Sequence, residues 1–127
     1  MGPLAFFAVG VGAACGAWLR WGLGLWLNPL FPAIPMGTLA ANLSGGYLMG
    51  VAIAAFGHWS GLSPELRLAL TTGFLGGLTT FSTFSGEVTT LFLRQQMGAA
   101  FGAMALHVGG SLLMTWLGLL SVKALAS

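Results

Sequence analysis

Charge is what this chain has least of. Four cations and two carboxylates serve 127 residues, and aspartate is absent altogether. Only 5% of the chain is charged, where an ordinary soluble domain is nearer a quarter. The cations are scattered, so there is no basic patch to hold nucleic acid. Cysteine occurs once, at Cys15, which excludes an intrachain disulfide and leaves the thiol to pack as a small apolar group. No side chain in residues 1–10 is charged, so the basic leader of a signal peptide is missing and the first apolar run is expected to stay as a span. Catalytic patterns are missing too: there is no GxSxG, no Walker loop and no HExxH. Two histidines and one cysteine, far apart in sequence, match no metal-ligand spacing. Glu65 and Glu87 lie near the ends of an apolar run, not together inside. An enzyme is not expected.

What remains is apolar. Hydrophobic residues make up 57% of the chain, and they gather into four runs of about 4–27, 36–56, 66–93 and 97–120. Each is long enough to cross a hydrocarbon core of about 30 Å. The fold class expected is an all-α membrane protein, one domain over 1–127 with four transmembrane helices. Pro29, Pro32 and Pro35 end the first helix and stiffen the link to the second. Ser63-Pro64-Glu65 reads as a helix start, with an N-cap serine, proline at the first position and an acid in the first turn. His58 reads as a solvated loop residue. Glycines at i, i+4 recur in every run (Gly12/Gly16, Gly46/Gly50, Gly73/Gly77, Gly98/Gly102), a spacing that lets helices approach closely.

The third run is unlike the others. Thr71–Glu87, TTGFLGGLTTFSTFSGE, is too polar and too rich in glycine to serve only as a lipid-facing segment. Thr79, Thr80, Ser82, Thr83 and Ser85 interleave with Phe81 and Phe84, just after Gly76-Gly77. The reading is a membrane helix broken at its middle. Unwound backbone at that depth is tolerated only against protein or water, and its carbonyls could ligate a cation. Phe81 and Phe84 share a helix face. Either they simply pack, or they turn the positive edges of their rings toward a small anion.

Other polar residues carry two readings each. Arg20, among Trp18, Trp21 and Trp26, is an interfacial anchor or a cation that concentrates anions at a pore mouth. Asn42 must hydrogen-bond something in lipid, as helix–helix glue or as a donor to an anion. Glu87 is an interfacial carboxylate or a partner of Arg94, or else a vestibule residue. His107, Ser111 and Thr115 recur every four residues and share a face, which either bonds back to its own helix or lines a polar path. With four spans, Arg67 and Lys123 fall on one side and Arg20 and Arg94 on the other. That balance gives no orientation bias under the positive-inside rule, so two opposed copies could pair as an antiparallel dimer.

The run Thr72-Gly73-Phe74-Leu75-Gly76-Gly77-Leu78-Thr79-Thr80-Phe81-Ser82-Thr83-Phe84-Ser85 resembles the signature of the Fluc (CrcB) fluoride channels. Gly37-Thr38-Leu39-Ala40-Ala41-Asn42 with Gly45-Gly46, and Gly16-Ala17-Trp18-Leu19-Arg20, resemble that family's second- and first-helix motifs. The resemblance implies a dual-topology (antiparallel) homodimer with two pores, in a bacterial inner membrane, that exports toxic fluoride passively. It implies a fluoride path along Asn42, Phe81, Phe84, Ser82, Thr83, His107, Ser111 and Thr115, with Arg20 and Glu87 at the vestibules. It implies a central, non-transported sodium ion on the backbone carbonyls of Gly76 and Thr79 from each subunit. Ala103 and His107 stand where many members carry tyrosine and serine. The competing reading is a small multidrug-type proton-coupled exporter, which needs a membrane-buried carboxylate that the first run lacks. A third is a structural subunit without transport.

Overall fold

The computed structural model describes residues 2–127, and every regular element among them is helical. Helix α1 (Pro3–Leu27) opens with proline at its first position and runs into a single 3₁₀ turn, Asn28–Leu30. Helix α2 covers Met36–His58. The proline-rich link is short because Asn28 ties its two ends together: Asn28 Oδ1 accepts from the backbone N–H of Gly37 at 2.7 Å and of Thr38 at 3.2 Å, capping α2. Helix α3 spans 64–78. Ser63 is its N-cap, with Oγ accepting from Leu66 N–H at 3.2 Å, as its sequence indicates. Helix α4 is Phe81–Leu93 and helix α5 is Met97–Ala126. The turn between α4 and α5 takes three residues. Gln96 N–H reaches Leu91 O and Gln95 N–H reaches Phe92 O, with Gln95 left-handed at φ 59°. That is a Schellman closure carrying glutamine where glycine is usual.

Three helices are each long and apolar enough to cross a membrane: α1 with its 3₁₀ turn, α2 and α5. The third run does not form one of them, because it is cut into α3 and α4. The cut lies at Thr79 (φ −87°, ψ 151°) and Thr80 (φ −150°, ψ 109°), both extended. Gly76 and Gly77, at which the sequence suggests the break, stay helical. The reason is packing. A Cβ on Gly77 would strike the Ala13 carbonyl of α1, so this glycine serves close contact and not a hinge.

The two pieces belong to different cores. Leu75 and Leu78 of α3 are buried with Ala41 of α2. Phe84, Val88 and Leu91 of α4 are buried with Ile34, Ala100 and Ala103. Small residues set the seams. Gly12 and Gly16 meet the backbone of α3; Gly50 and Gly118 hold α2 and α5 at backbone distance. Three of the four glycine pairs are therefore used within the chain, and Gly98 and Gly102 meet nothing within 4 Å. The outward surface carries Phe6, Phe7, Trp18, Trp21, Trp26 and Trp116, a far larger apolar face than water-soluble monomers expose.

Candidate functional site

A helix cut inside an apolar bundle leaves main-chain groups without partners, and in lipid each must be satisfied by protein. Thr80 N–H, which would bond Gly76 O in a continuous helix, donates instead to Asn42 Oδ1 at 2.8 Å. Asn42 Nδ2 returns a longer bond to Thr80 O at 3.3 Å. Gly77 O, released in the same way, accepts from Arg20 Nε at 3.0 Å. Thr80 Oγ1 caps α4 by accepting from Thr83 N–H at 3.1 Å. Arg20 and Asn42 thus hold the break from two sides. The carbonyls of Gly76 and Thr79 lose their helical partners, since the Thr80 and Thr83 N–H groups point elsewhere.

Beside the break lies an open groove of about 490 Å³. Asn42, Phe81, Phe84, His107, Ser111 and Thr115 all line it, and Gly76 and Thr79 border it. The two phenyl rings meet edge-on, with centroids 5.5 Å apart and planes at 69°. Phe84 is 7% exposed and Phe81 76% exposed. Phe84 also lies against the His107 ring, at 4.6 Å and 33°. His107 is 4% exposed. Its Nδ1 sits 3.0 Å from Asn42 Nδ2, and its buried Nε2 has no hydrogen-bond partner among the described residues.

The hydroxyls of α5 divide. Thr115 Oγ1 donates to Gly46 O at 2.9 Å and lies 3.0 Å from Ser111 O, so it is spent on backbone. Ser111 Oγ makes no hydrogen bond among the described residues, which leaves it the free hydroxyl of the groove. Ala103, one turn before His107, is buried and adds no polar group. Asn42 has both amide hydrogens engaged, one on Thr80 O and one toward His107.

The remaining candidates lie outside this groove. The Ser82 and Thr83 hydroxyls cluster with Thr80 on the exposed side of the break, at 3.4 and 2.9 Å from its Oγ1. Thr83 shares one hollow with Arg20, Trp21 and Thr38, and another with Glu87 and Arg94. Glu87 Oε2 accepts from Thr38 Oγ1 at 2.6 Å. The sequence pattern thus holds two polar surfaces, one on each side of the break. Two features leave no simple mark in sequence: the π-helical stretches Ala69–Leu75 and Ala105–Gly109. Both supply groove residues, Thr71 and Leu75 from one and His107 and Val108 from the other, and such widened turns gather at functional sites.

A cut helix held by an asparagine and an arginine, beside facing phenylalanines, is a narrow specification. The profile described as CrcB-like protein, Camphor Resistance (CrcB), matches residues 7–119. The chain belongs to the CrcB family. It is 61% identical over 126 residues to a protein of Nitrosospira multiformis, covering 99% of this chain and 98% of that one. It is 59% identical over 126 residues to one of Cupriavidus taiwanensis, covering 99% and 100%. It is 62% identical over 115 residues to one of Pseudomonas putida, covering 91% of each. All three relatives are named fluoride-specific ion channel FluC.

Proposed function

We propose that this chain is a subunit of a fluoride-selective channel that lets fluoride leave a bacterial cytoplasm down its own gradient. The groove carries the reading. Its lining offers two phenyl rings, an imidazole and a free hydroxyl, with no cation among the lining residues. Neutral donors in a low-dielectric passage hold an anion without trapping it, which conduction requires. The names of the CrcB relatives point the same way.

The rest of the assembly follows. Helices α3 and α4 are about 22 and 20 Å long at 1.5 Å per residue, each too short to span alone and sufficient together. They form the fourth crossing of a multi-pass inner-membrane protein. Two copies pair antiparallel and give two pores, with Gly98, Gly102 and the exposed Gly76 among the surfaces left for the second copy. The carbonyls of Gly76 and Thr79 from each subunit would hold a resident sodium ion at the break. Both carbonyls fit, being hard oxygen donors released by the cut, and Gly76 has no side chain to crowd an ion. Bound there, sodium would offset the dipoles of these carbonyls and tie the two subunits together.

Purified protein in fluoride-loaded liposomes tests the function. Rapid loss of fluoride with chloride retained is expected. Drug-driven proton flux without a fluoride leak would establish the small multidrug-type exporter, and silence in both assays would leave a structural subunit.

A further inference from the structure

We propose that His107 Nε2–H is an anion donor in this channel, held in the donor tautomer by Asn42. The inference rests on the groove being a fluoride path, and it assigns this chain's own imidazole the direct contact. The argument starts from a main-chain group that can only donate. Thr80 N–H lies 2.8 Å from one terminal atom of Asn42, so that atom is the oxygen, because the amide nitrogen there would face donor against donor. The other terminal atom is therefore the nitrogen. Its two hydrogens go to Thr80 O and to His107 Nδ1. An Nδ1 that accepts carries no proton, so the neutral imidazole keeps its proton on Nε2. A backbone amide on one helix thus fixes the tautomer of a histidine on another.

That Nε2–H is a donor with nothing to donate to. It is buried, it has no protein partner, and its ring is clamped against Phe84. Buried donors are paired in the great majority of proteins, and an orphan calls for a ligand. Ser111, one turn along the same face, offers the next free donor in the groove. The Nε2 atom is closed to water, so an ion reaches it only when the groove wall yields, and fluoride, about the size of a water molecule, asks for the smallest opening. Chloride is larger and would have to part the helices further. Asn42 has no free hydrogen of its own, and it acts on the ion through the imidazole.

Two measurements on the full-length protein test this. The chain has two histidines, and His58 is exposed. Selective ¹⁵N-histidine labelling therefore gives two rings, which H58Q assigns. The His107 ring is expected to be protonated at Nε2 and bare at Nδ1, and its Nε2 signal to move saturably with fluoride and not with gluconate. In liposomes, H107F keeps a ring against Phe84 and removes the donor. It should cut fluoride flux roughly ten- to a hundredfold, the worth of one hydrogen bond to a charged partner. H107Q places an amide nitrogen near the Nε2 position and should conduct closer to wild type than H107F does. A proton found on Nδ1, an Nε2 signal indifferent to fluoride, or wild-type flux in H107F would each overturn the proposal. Wild-type protein that passes no fluoride would instead defeat the channel reading, while the labelled ring still reports whether its Nε2 binds the ion.

Discussion

Replacing Asn42 by leucine keeps the volume and shape of the side chain and deletes both polar ends. Three bonds are lost: 2.8 Å from Thr80 N–H, 3.3 Å to Thr80 O and 3.0 Å to His107 Nδ1. Hydrogen bonds between membrane helices are worth roughly 0.6 kcal/mol on average and up to about 1.7. Counting the long bond at the low end, N42L should cost about 2–4 kcal/mol. The loss is local before it is global. Thr80 N–H has no substitute acceptor once the cut has moved it off the helix, so its hydrogen exchange should quicken by about tenfold per 1.4 kcal/mol lost. Reversible unfolding in mixed micelles gives the total, and exchange at Thr80 gives the part due to the break. N42D keeps an oxygen for Thr80 N–H and loses the hydrogens for His107, so it should restore Thr80 protection and still impair flux. If N42L leaves both the unfolding midpoint and Thr80 exchange unchanged, Asn42 does not hold the break and the account of the cut helix fails.

Three further substitutions probe separate parts of the structure. Phe81 is mostly exposed and Phe84 buried, so F81I should alter protomer stability by less than about 0.5 kcal/mol while F84A costs about 3 kcal/mol. Both should lower fluoride flux, and unchanged flux in F81I would make that ring mere packing. A Cβ at Gly118 meets the Tyr47 carbonyl and one at Gly98 meets nothing. G118A should therefore destabilise the protomer by about 1–3 kcal/mol through overpacking, whereas G98A should leave it folded and weaken only pairing of two copies, as read by cross-linking in lipid. Gln95 is held at φ 59°, so Q95G should stabilise by about 1 kcal/mol without touching flux; a loss of stability would mean the glutamine side chain holds the turn.

What could be read in the sequence is what local chemistry decides. The apolar runs, the proline link, the Ser63 cap and the shared face of His107, Ser111 and Thr115 all follow from residue type and spacing over a few turns. The break itself is legible as an excess of glycine and hydroxyl residues, yet its position is not. Glycines are permissive of a bend without dictating one, and Gly77 is already committed to pressing α3 onto α1. The cut falls where a partner waits for the freed backbone, at Thr80, and that partner is Asn42, 38 residues earlier. The role of Arg20 is hidden for the same reason, since its acceptor Gly77 O lies 57 residues away. Local pattern also cannot separate Ser82 and Thr83 from the groove, because which side of α4 faces α5 is settled by the burial of Phe84, Val88 and Leu91.

The same amide joins fold and function. Asn42 Oδ1 secures the N–H that the cut releases, and this fixes which way Nδ2 points. Nδ2 in turn fixes which nitrogen of His107 is bare. A histidine in an apolar span can ordinarily exchange tautomers at little cost and so offers an ion either a donor or an acceptor. Here the acceptor face is occupied by a side chain that cannot turn without orphaning a main-chain donor. The helix break therefore does more than expose carbonyls: through one asparagine it sets the polarity of the His107 side of the groove, covering the acceptor nitrogen of the ring and leaving its donor, which suits an anion there.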